Sequence, residues 1–151
     1  MILQANIGGY MGRPSSVIAF LDEDTEILLI KACGPMARKH FKSKDGEEAS
    51  LVSNQSTDEF DLFFNEELFK EAFDSFRSFT ANGQIIFDEK VRQIVPNLEV
   101  DKITEKGTSF QVSPDTKNEN IAVIALCYYA KEALKQQVAN SMFDEIEVFS
   151  I

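Results

Sequence analysis

The first third of the chain alternates short apolar runs with polar connections. Residues 1–7 form one such run, and Val17–Leu21 and Ile27–Ile30 flank an acidic connection at residues 22–26. Two apolar runs joined by a few polar residues are typical of a β-hairpin. A further strand is predicted at Glu47–Ser53, so the pattern indicates a sheet that begins with a strand and a hairpin.

A helical period follows the strands. Asn65 is a suitable N-cap residue, and Asn82-Gly83 is a suitable C-terminal stop because both residues tolerate the left-handed conformation. Apolar residues recur every three or four positions between these signals, which places them on one face of a helix over residues 65–80. They are Leu68, Phe69, Ala72, Phe73, Phe76 and Phe79.

Short strands joined by turns are predicted after this helix, and a meander is their simplest arrangement. They are Ile85–Phe87, Val91–Val95, Leu98–Ile103 and Ser109–Val112.

The longest apolar run predicts a buried helix. Ten consecutive residues, Ile121–Ala130, are apolar on every face of nearly three turns, so protein must surround them. The helix is expected to run from Pro114-Asp115 to about Val138. Apolar and polar residues then alternate over residues 146–151, which predicts a last strand.

Together these elements predict one α+β domain of 151 residues. Its mostly antiparallel sheet packs around the C-terminal helix, and the 65–80 helix lies outside. The chain start lacks the features of a signal peptide and the apolar run is about half of a membrane span, so a cytoplasmic location is expected. Cys33 and Cys127 are expected to be reduced.

The net charge of -10 is concentrated in the middle of the chain. Residues 45–101 carry fourteen Asp/Glu against four Lys/Arg. Such a surface repels nucleic-acid phosphates and anionic lipids and attracts basic proteins. The sequence therefore predicts no direct nucleic-acid or membrane binding, although the charge is also explained by solubility alone.

Carboxylates in and before the 65–80 helix are the candidates for docking a basic protein. Those at 67, 71 and 74 share one helical face, and the alternative is a solvated face with weak pairs to Lys70. The predicted partner-binding residues are Asp58, Glu59, Asp61, Glu67, Glu71 and Asp74.

A glycine-rich segment between the first strand and the hairpin is a candidate anion-binding loop. Its glycines and arginine suit a phosphate, but no Lys-Ser/Thr pair closes it and a strand is expected to follow instead of a helix. A loop that contacts a partner is the alternative. The residues concerned are Gly8, Gly9, Tyr10, Gly12 and Arg13.

Catalytic and metal-binding chemistry is sparse. His40 is the single histidine, seven residues from Cys33, and nothing in the sequence orients the two as a nucleophilic pair. The ligands of a zinc site are also missing. We predict no catalytic residue, metal or cofactor.

Aromatic residues are abundant, with thirteen phenylalanines and no tryptophan. Rings packed in the core are the simplest interpretation. The alternative is that part of residues 60–64 is exposed and provides aromatic anchors inside an acidic rim.

Segregated charge without a catalytic constellation favours a non-enzymatic protein that binds and inhibits a basic protein partner, as immunity, antitoxin-like or anti-defence proteins do. Two alternatives stay open. One is a small carboxylate-dependent enzyme whose glycine loop holds an anionic small molecule. The other is a structural, oligomer-forming subunit, and the sequence gives no oligomeric state.

Overall fold

The computed structural model describes residues 1–36, 40–56, 59–92, 103–106, 109–112 and 116–149. These residues form a six-stranded sheet, a two-stranded sheet and two α-helices. The strands are β1 (Ile2–Ile7), β2 (Ser15–Asp22), β3 (Ile27–Pro35), β4 (Ser50–Ser53), β5 (Leu62–Phe63), β6 (Ile85–Phe87), β7 (Ile103–Lys106) and β8 (Ser109–Val112). The helices are α1 (Phe69–Ala81), which follows a 3-10 turn at Glu66–Leu68, and α2 (Asn118–Phe149).

The large sheet has the strand order β5-β4-β1-β2-β3-β6. β1, β2 and β3 pair antiparallel, whereas β4 joins β1, β5 joins β4 and β6 joins β3 in parallel. The α+β class and the predicted hairpin are therefore confirmed. The sheet is mixed, because the two long pairings are antiparallel and the three short ones are parallel.

α2 packs against β1 and β2 on one side and against α1 on another. Leu3, Ala5 and Ile7 alternate along β1 and point into this contact, and residues 121–127 of α2 are all buried. Because water reaches no face of this part of the helix, the predicted central helix is confirmed. α1 is amphipathic, with Phe69 and Phe73 buried and its carboxylates exposed.

A polar network occupies the opposite face of the sheet. Gln4 Nε2 donates to Asn6 Oδ1 (3.0 Å), and Ser16 Oγ donates to the same oxygen (2.6 Å). Gln4 Oε1 in turn accepts the backbone N–H of Phe41 (2.6 Å). Gln4 and Asn6 are fully buried, so these bonds are needed to satisfy them. The network also ties the segment around Phe41 to the sheet.

Asn118, at the start of α2, holds the glycine-rich loop between β1 and β2. Its Oδ1 accepts the N–H of Tyr10 (2.9 Å), and its Nδ2 donates to the carbonyls of Gly12 (3.2 Å) and Arg13 (3.1 Å). Gly12 has φ +92, a conformation that side chains disfavour. The predicted loop is confirmed, and the last helix closes it.

The strand predicted at the C-terminus is wrong over the described residues, because α2 continues through Phe149. Phe143, Ile146 and Phe149 are spaced three apart, so the segment carries a helical period beside the alternating one. Residues 114–115, the predicted helix start, lie outside the described residues, and α2 begins later than predicted, at Asn118.

Two strand boundaries also differ from expectation. β3 continues through Pro35, where the sequence predicts a break. At Pro35, β3 pairs with β2, whereas β6 pairs only with Leu28–Ile30. The backbone N–H that proline lacks therefore breaks no hydrogen-bond ladder on the side of β3 away from β2. β4 begins at Ser50, three residues later than predicted.

The predicted meander is wrong at its first strand, because β6 joins the large sheet in parallel beside β3. β7 and β8 pair antiparallel with each other, as the meander predicts for its last two strands. Val91 and Arg92 lie in a turn instead of a strand, and residues 93–102 of the two middle strands are outside the described part of the chain.

Asn118→Ala should lower the free energy of unfolding by about 1–3 kcal/mol, because it leaves one partly buried N–H and two carbonyls without their partner. Denaturant unfolding measures this loss. Asn140→Ala, which removes an exposed asparagine of the same helix, should change stability by less than about 0.5 kcal/mol. Equal losses in the two variants would contradict the closing role of Asn118.

Candidate functional site

A cavity of about 610 Å³ lies between the start of β1, the start of β5 and the second half of α2. Two phenols and three carboxylates line it: Tyr128, Tyr129, Glu23, Asp61 and Glu132. We name it the tyrosine cavity.

No lysine or arginine belongs to the described lining of the tyrosine cavity. A positive group there is the α-amino group of Met1, which donates to the carbonyl of Leu21 (3.1 Å). Lys135 lies outside the lining and forms an exposed ion pair with Glu132 (3.4 Å), so it offsets little of the charge. The cavity is therefore negative at neutral pH.

The two tyrosines stand where α2 leaves the core. They lie near the end of the apolar run Ile121–Ala130, and both are half-buried, whereas Glu132 in the next turn is exposed. A half-buried tyrosine packs its ring against protein and keeps its hydroxyl at the edge of the solvent. The helix thus presents two tyrosines to the cavity at the point where it leaves the core.

Carboxylates approach the tyrosines from different elements. Burial raises the pKa of Tyr128, and the nearby Glu132 and Glu71 raise it further. Burial also raises the pKa of Tyr129, which a hydrogen bond with Ser50 lowers and the charge of Asp61 raises. Two of the predicted partner-binding residues, Asp61 and Glu71, therefore lie near this tyrosine pair.

Asp61 is held firmly at the rim of the cavity. Its Oδ2 accepts the backbone N–H of Leu51 (2.7 Å), and its own N–H donates to the Leu51 carbonyl (2.8 Å). The same Oδ2 lies 3.9 Å from His40 Nε2. The carboxylate is half exposed and has a fixed position.

The other predicted acidic residues are not among the described residues that line the cavity. Glu59, Glu67 and Asp74 are exposed, and Asp58 is outside the described residues. None of the ion pairs in the described ranges joins Lys70 to a carboxylate of α1. The sequence between Lys44 and Lys70 contains eight acidic residues and no Lys or Arg, so this segment carries a strongly negative charge.

An exposed aromatic pair lies on the same segment. The rings of Phe60 and Phe63 are 5.2 Å apart and are 41% and 37% exposed, whereas Phe64 is buried. Phe64 therefore belongs to the core, whereas Phe60 and Phe63 are exposed; that these two rings are interface anchors stays a prediction.

The glycine loop borders a second cavity, of about 420 Å³, at the ends of β1, β4 and β5. Its lining includes Gly8, Gly9, Tyr10 and the carboxylate of Glu66, and none of its described lining residues is basic. Gly12 and Arg13 are exposed and lie outside this lining. Anion binding by the loop stays a prediction that no convergent positive charge supports.

The cysteines are free, and both thiols are kept protonated by their surroundings. Burial and the charge of Glu119 raise the pKa of Cys33 to about 11, and burial raises the pKa of Cys127. Since the thiolate is the reactive form, neither is an activated nucleophile. Within the described ranges, no three His, Cys, Asp or Glu side chains are grouped to hold a metal.

Sequence reasoning missed the tyrosines, Glu23 and Glu132. The available signal was Tyr128-Tyr129 at the junction between the apolar and polar halves of one helix. Glu23 comes from the turn between β2 and β3, and only the tertiary fold brings it near Gln137, whose Nε2 donates to Glu23 Oε2 (3.3 Å).

Comparisons with protein families, curated proteins and solved structures find no match for this chain. In the part of the chain that the structure describes, helices are either too short or too polar to cross a membrane.

Tyr10 should titrate with a pKa of about 12, because burial and then the charge of Glu66 disfavour its phenolate. The unfolded phenol titrates near 10, so the stability that this group contributes is present below about pH 10 and is lost as pH rises toward 12. Ultraviolet absorbance of tyrosinate, with Tyr10→Phe for assignment, measures the pKa. Glu66→Gln should lower it and Glu67→Gln should not; equal effects would contradict the assigned cause.

Proposed function

We propose that this protein is a non-enzymatic, cytoplasmic binding protein that engages and inhibits a basic protein partner. An arginine or lysine side chain of the partner enters the tyrosine cavity. The observation that carries the proposal is a cavity with two phenols, three carboxylates and no Lys or Arg in its described lining.

The lining suits a cationic side chain in both its charged head and its aliphatic stem. Aromatic rings attract a cation over their faces, and carboxylates form charge-assisted hydrogen bonds with it. The stem would pack on Leu62 and Ala133, which also line the cavity. A guanidinium fits better than an ammonium because it stacks on a ring and binds a carboxylate with two hydrogen bonds.

The exposed Phe60 and Phe63 support a protein partner over a free amine. Interfaces often place large aromatic anchors at the centre of a patch whose rim is polar. Here the rim is acidic, with Glu59 and Asp61 on the same segment. A partner that covers the aromatic pair would therefore meet it with a basic surface.

The net negative charge of the protein also supports the proposed association with a basic partner and its inhibition. A net charge of -10 steers a basic protein toward the acidic face and keeps nucleic acid and anionic membranes away. Basic surfaces often serve to bind anionic substrates, so a protein that covers one inhibits it by occupation.

The alternative enzyme lacks a specific supporting observation. A carboxylate-dependent site for an anion would need Arg13 and two carboxylates to converge, and the described cavity beside the glycine loop has Glu66 and no basic side chain. The oligomer-forming alternative is tested by light scattering on the purified protein.

Acetyl-arginine amide should bind the tyrosine cavity, and acetyl-citrulline amide, its neutral analogue, should bind at least about tenfold more weakly because the charge-assisted bonds are lost. Chemical shifts of Tyr128 and Tyr129 during an NMR titration report the binding. Asp61→Asn and Glu132→Gln should weaken it, and the distant Glu89→Gln should not. The proposed cation site would be ruled out if both amides bound equally well or if neither amide bound.

For the protein partner, captured from the native cell and identified by mass spectrometry, the triple variant E67K/E71K/D74K should slow association about tenfold at low salt. The reason is reversed steering at an exposed face, so stability should change little. Surface plasmon resonance at several salt concentrations measures the rates, with Glu89→Lys as control. An affinity that does not weaken as salt rises would rule out electrostatic docking.

A further inference from the structure

We propose that His40 is a proton-operated switch that sets the charge of the tyrosine cavity through Asp61. The ring lies between two carboxylates: Nδ1 is 3.1 Å from Glu48 Oε1, and Nε2 is 3.9 Å from Asp61 Oδ2. Nε2 is buried and forms no hydrogen bond in the structure. The ligand of the cavity rests on the function proposed above, whereas the coupling of His40 to Asp61 does not.

The neutral ring leaves one nitrogen unsatisfied. An ionised carboxylate only accepts hydrogen bonds, so Nδ1 must carry the proton that faces Glu48. In that tautomer Nε2 presents a lone pair toward Asp61, another acceptor. Protonation of Nε2 replaces the lone pair with a donor, and both nitrogens of the imidazolium then face a negative partner.

The ring is positioned by rigid neighbours. The next residue, Phe41, donates its N–H to the buried Gln4 Oε1 (2.6 Å), and Asp61 is fixed by its two bonds to Leu51. Glu48 comes from the segment that leads into β4.

Charged groups near the ring come from its own segment and from two others. Lys42, two positions after His40, is exposed on the same segment. The two carboxylates are the charged groups that contact the ring from other segments.

The consequence for the cavity follows from the shared carboxylate. Asp61 lines the tyrosine cavity and also faces His40. When His40 is neutral, Asp61 contributes its full negative charge and the cavity attracts a cation. When His40 is protonated, the imidazolium offsets that charge and attraction weakens. Linkage makes the effect reciprocal, so a cation in the cavity makes His40 harder to protonate.

The first test follows binding of acetyl-arginine amide between about pH 8 and pH 5, the range in which histidine changes charge. Affinity of the wild-type protein should fall roughly threefold toward the acidic end, the size expected for one partly screened charge several ångströms away. His40→Gln should show a smaller fall, because the Met1 α-amino group in the lining is then the remaining group of this kind that gains a proton in this range. An equal fall in both proteins would overturn the switch.

The second test needs no ligand. His40 is the single histidine, so its imidazole signals are assigned directly in an NMR pH titration. Asp61→Asn, whose amide oxygen still accepts the Leu51 N–H, should move the midpoint of His40 to lower pH, and Glu89→Gln should leave it unchanged. An unmoved midpoint in Asp61→Asn would overturn the inference. A moved midpoint without binding of the amide would support the His40–Asp61 coupling and reject the proposed function.

Discussion

The burial of every face of the first half of α2 is the constraint on which the rest of the structure depends. Residues 121–127 have no polar side, so one layer of protein cannot cover them. The sheet supplies one cover through the alternating residues of β1, and α1 supplies another. The order of the layers, the amphipathic character of α1 and the alternation of β1 follow from this single apolar run.

The candidate site lies where α2 leaves the buried core. An apolar helix that leaves the core must change composition, and this one changes at Tyr128 and Tyr129, whose rings suit the core and whose hydroxyls suit water. The chain places Asp61 beside them from the position before β5 and Glu71 from α1. Because two hydrogen bonds to Leu51 hold Asp61 and α1 carries Glu71, these carboxylates have defined positions near the cavity.

Local sequence patterns predicted the secondary-structure elements, but they did not predict the pairing of strands that are distant in the sequence. The three-four spacing of Phe69, Phe73 and their neighbours identified α1, and the hairpin of β2 and β3 needed only its own residues. The parallel pairing of β4 with β1 and of β6 with β3 was not predicted, because the alternation of apolar residues within a strand does not identify the strand it pairs with. The acidic residues were predicted as a class, but Glu23 and Glu132 joined the site through contacts across the fold.

The position of α2 in the chain has a consequence for biosynthesis. All described strands precede this helix. The loop after β1 can form its hydrogen bonds with Asn118 only after that residue, more than a hundred positions later, has been synthesised. The sheet therefore leaves the ribosome before α2 does, with its apolar side uncovered, and the nascent chain completes this core only when α2 emerges. Chaperones that shield apolar surface would act during that interval.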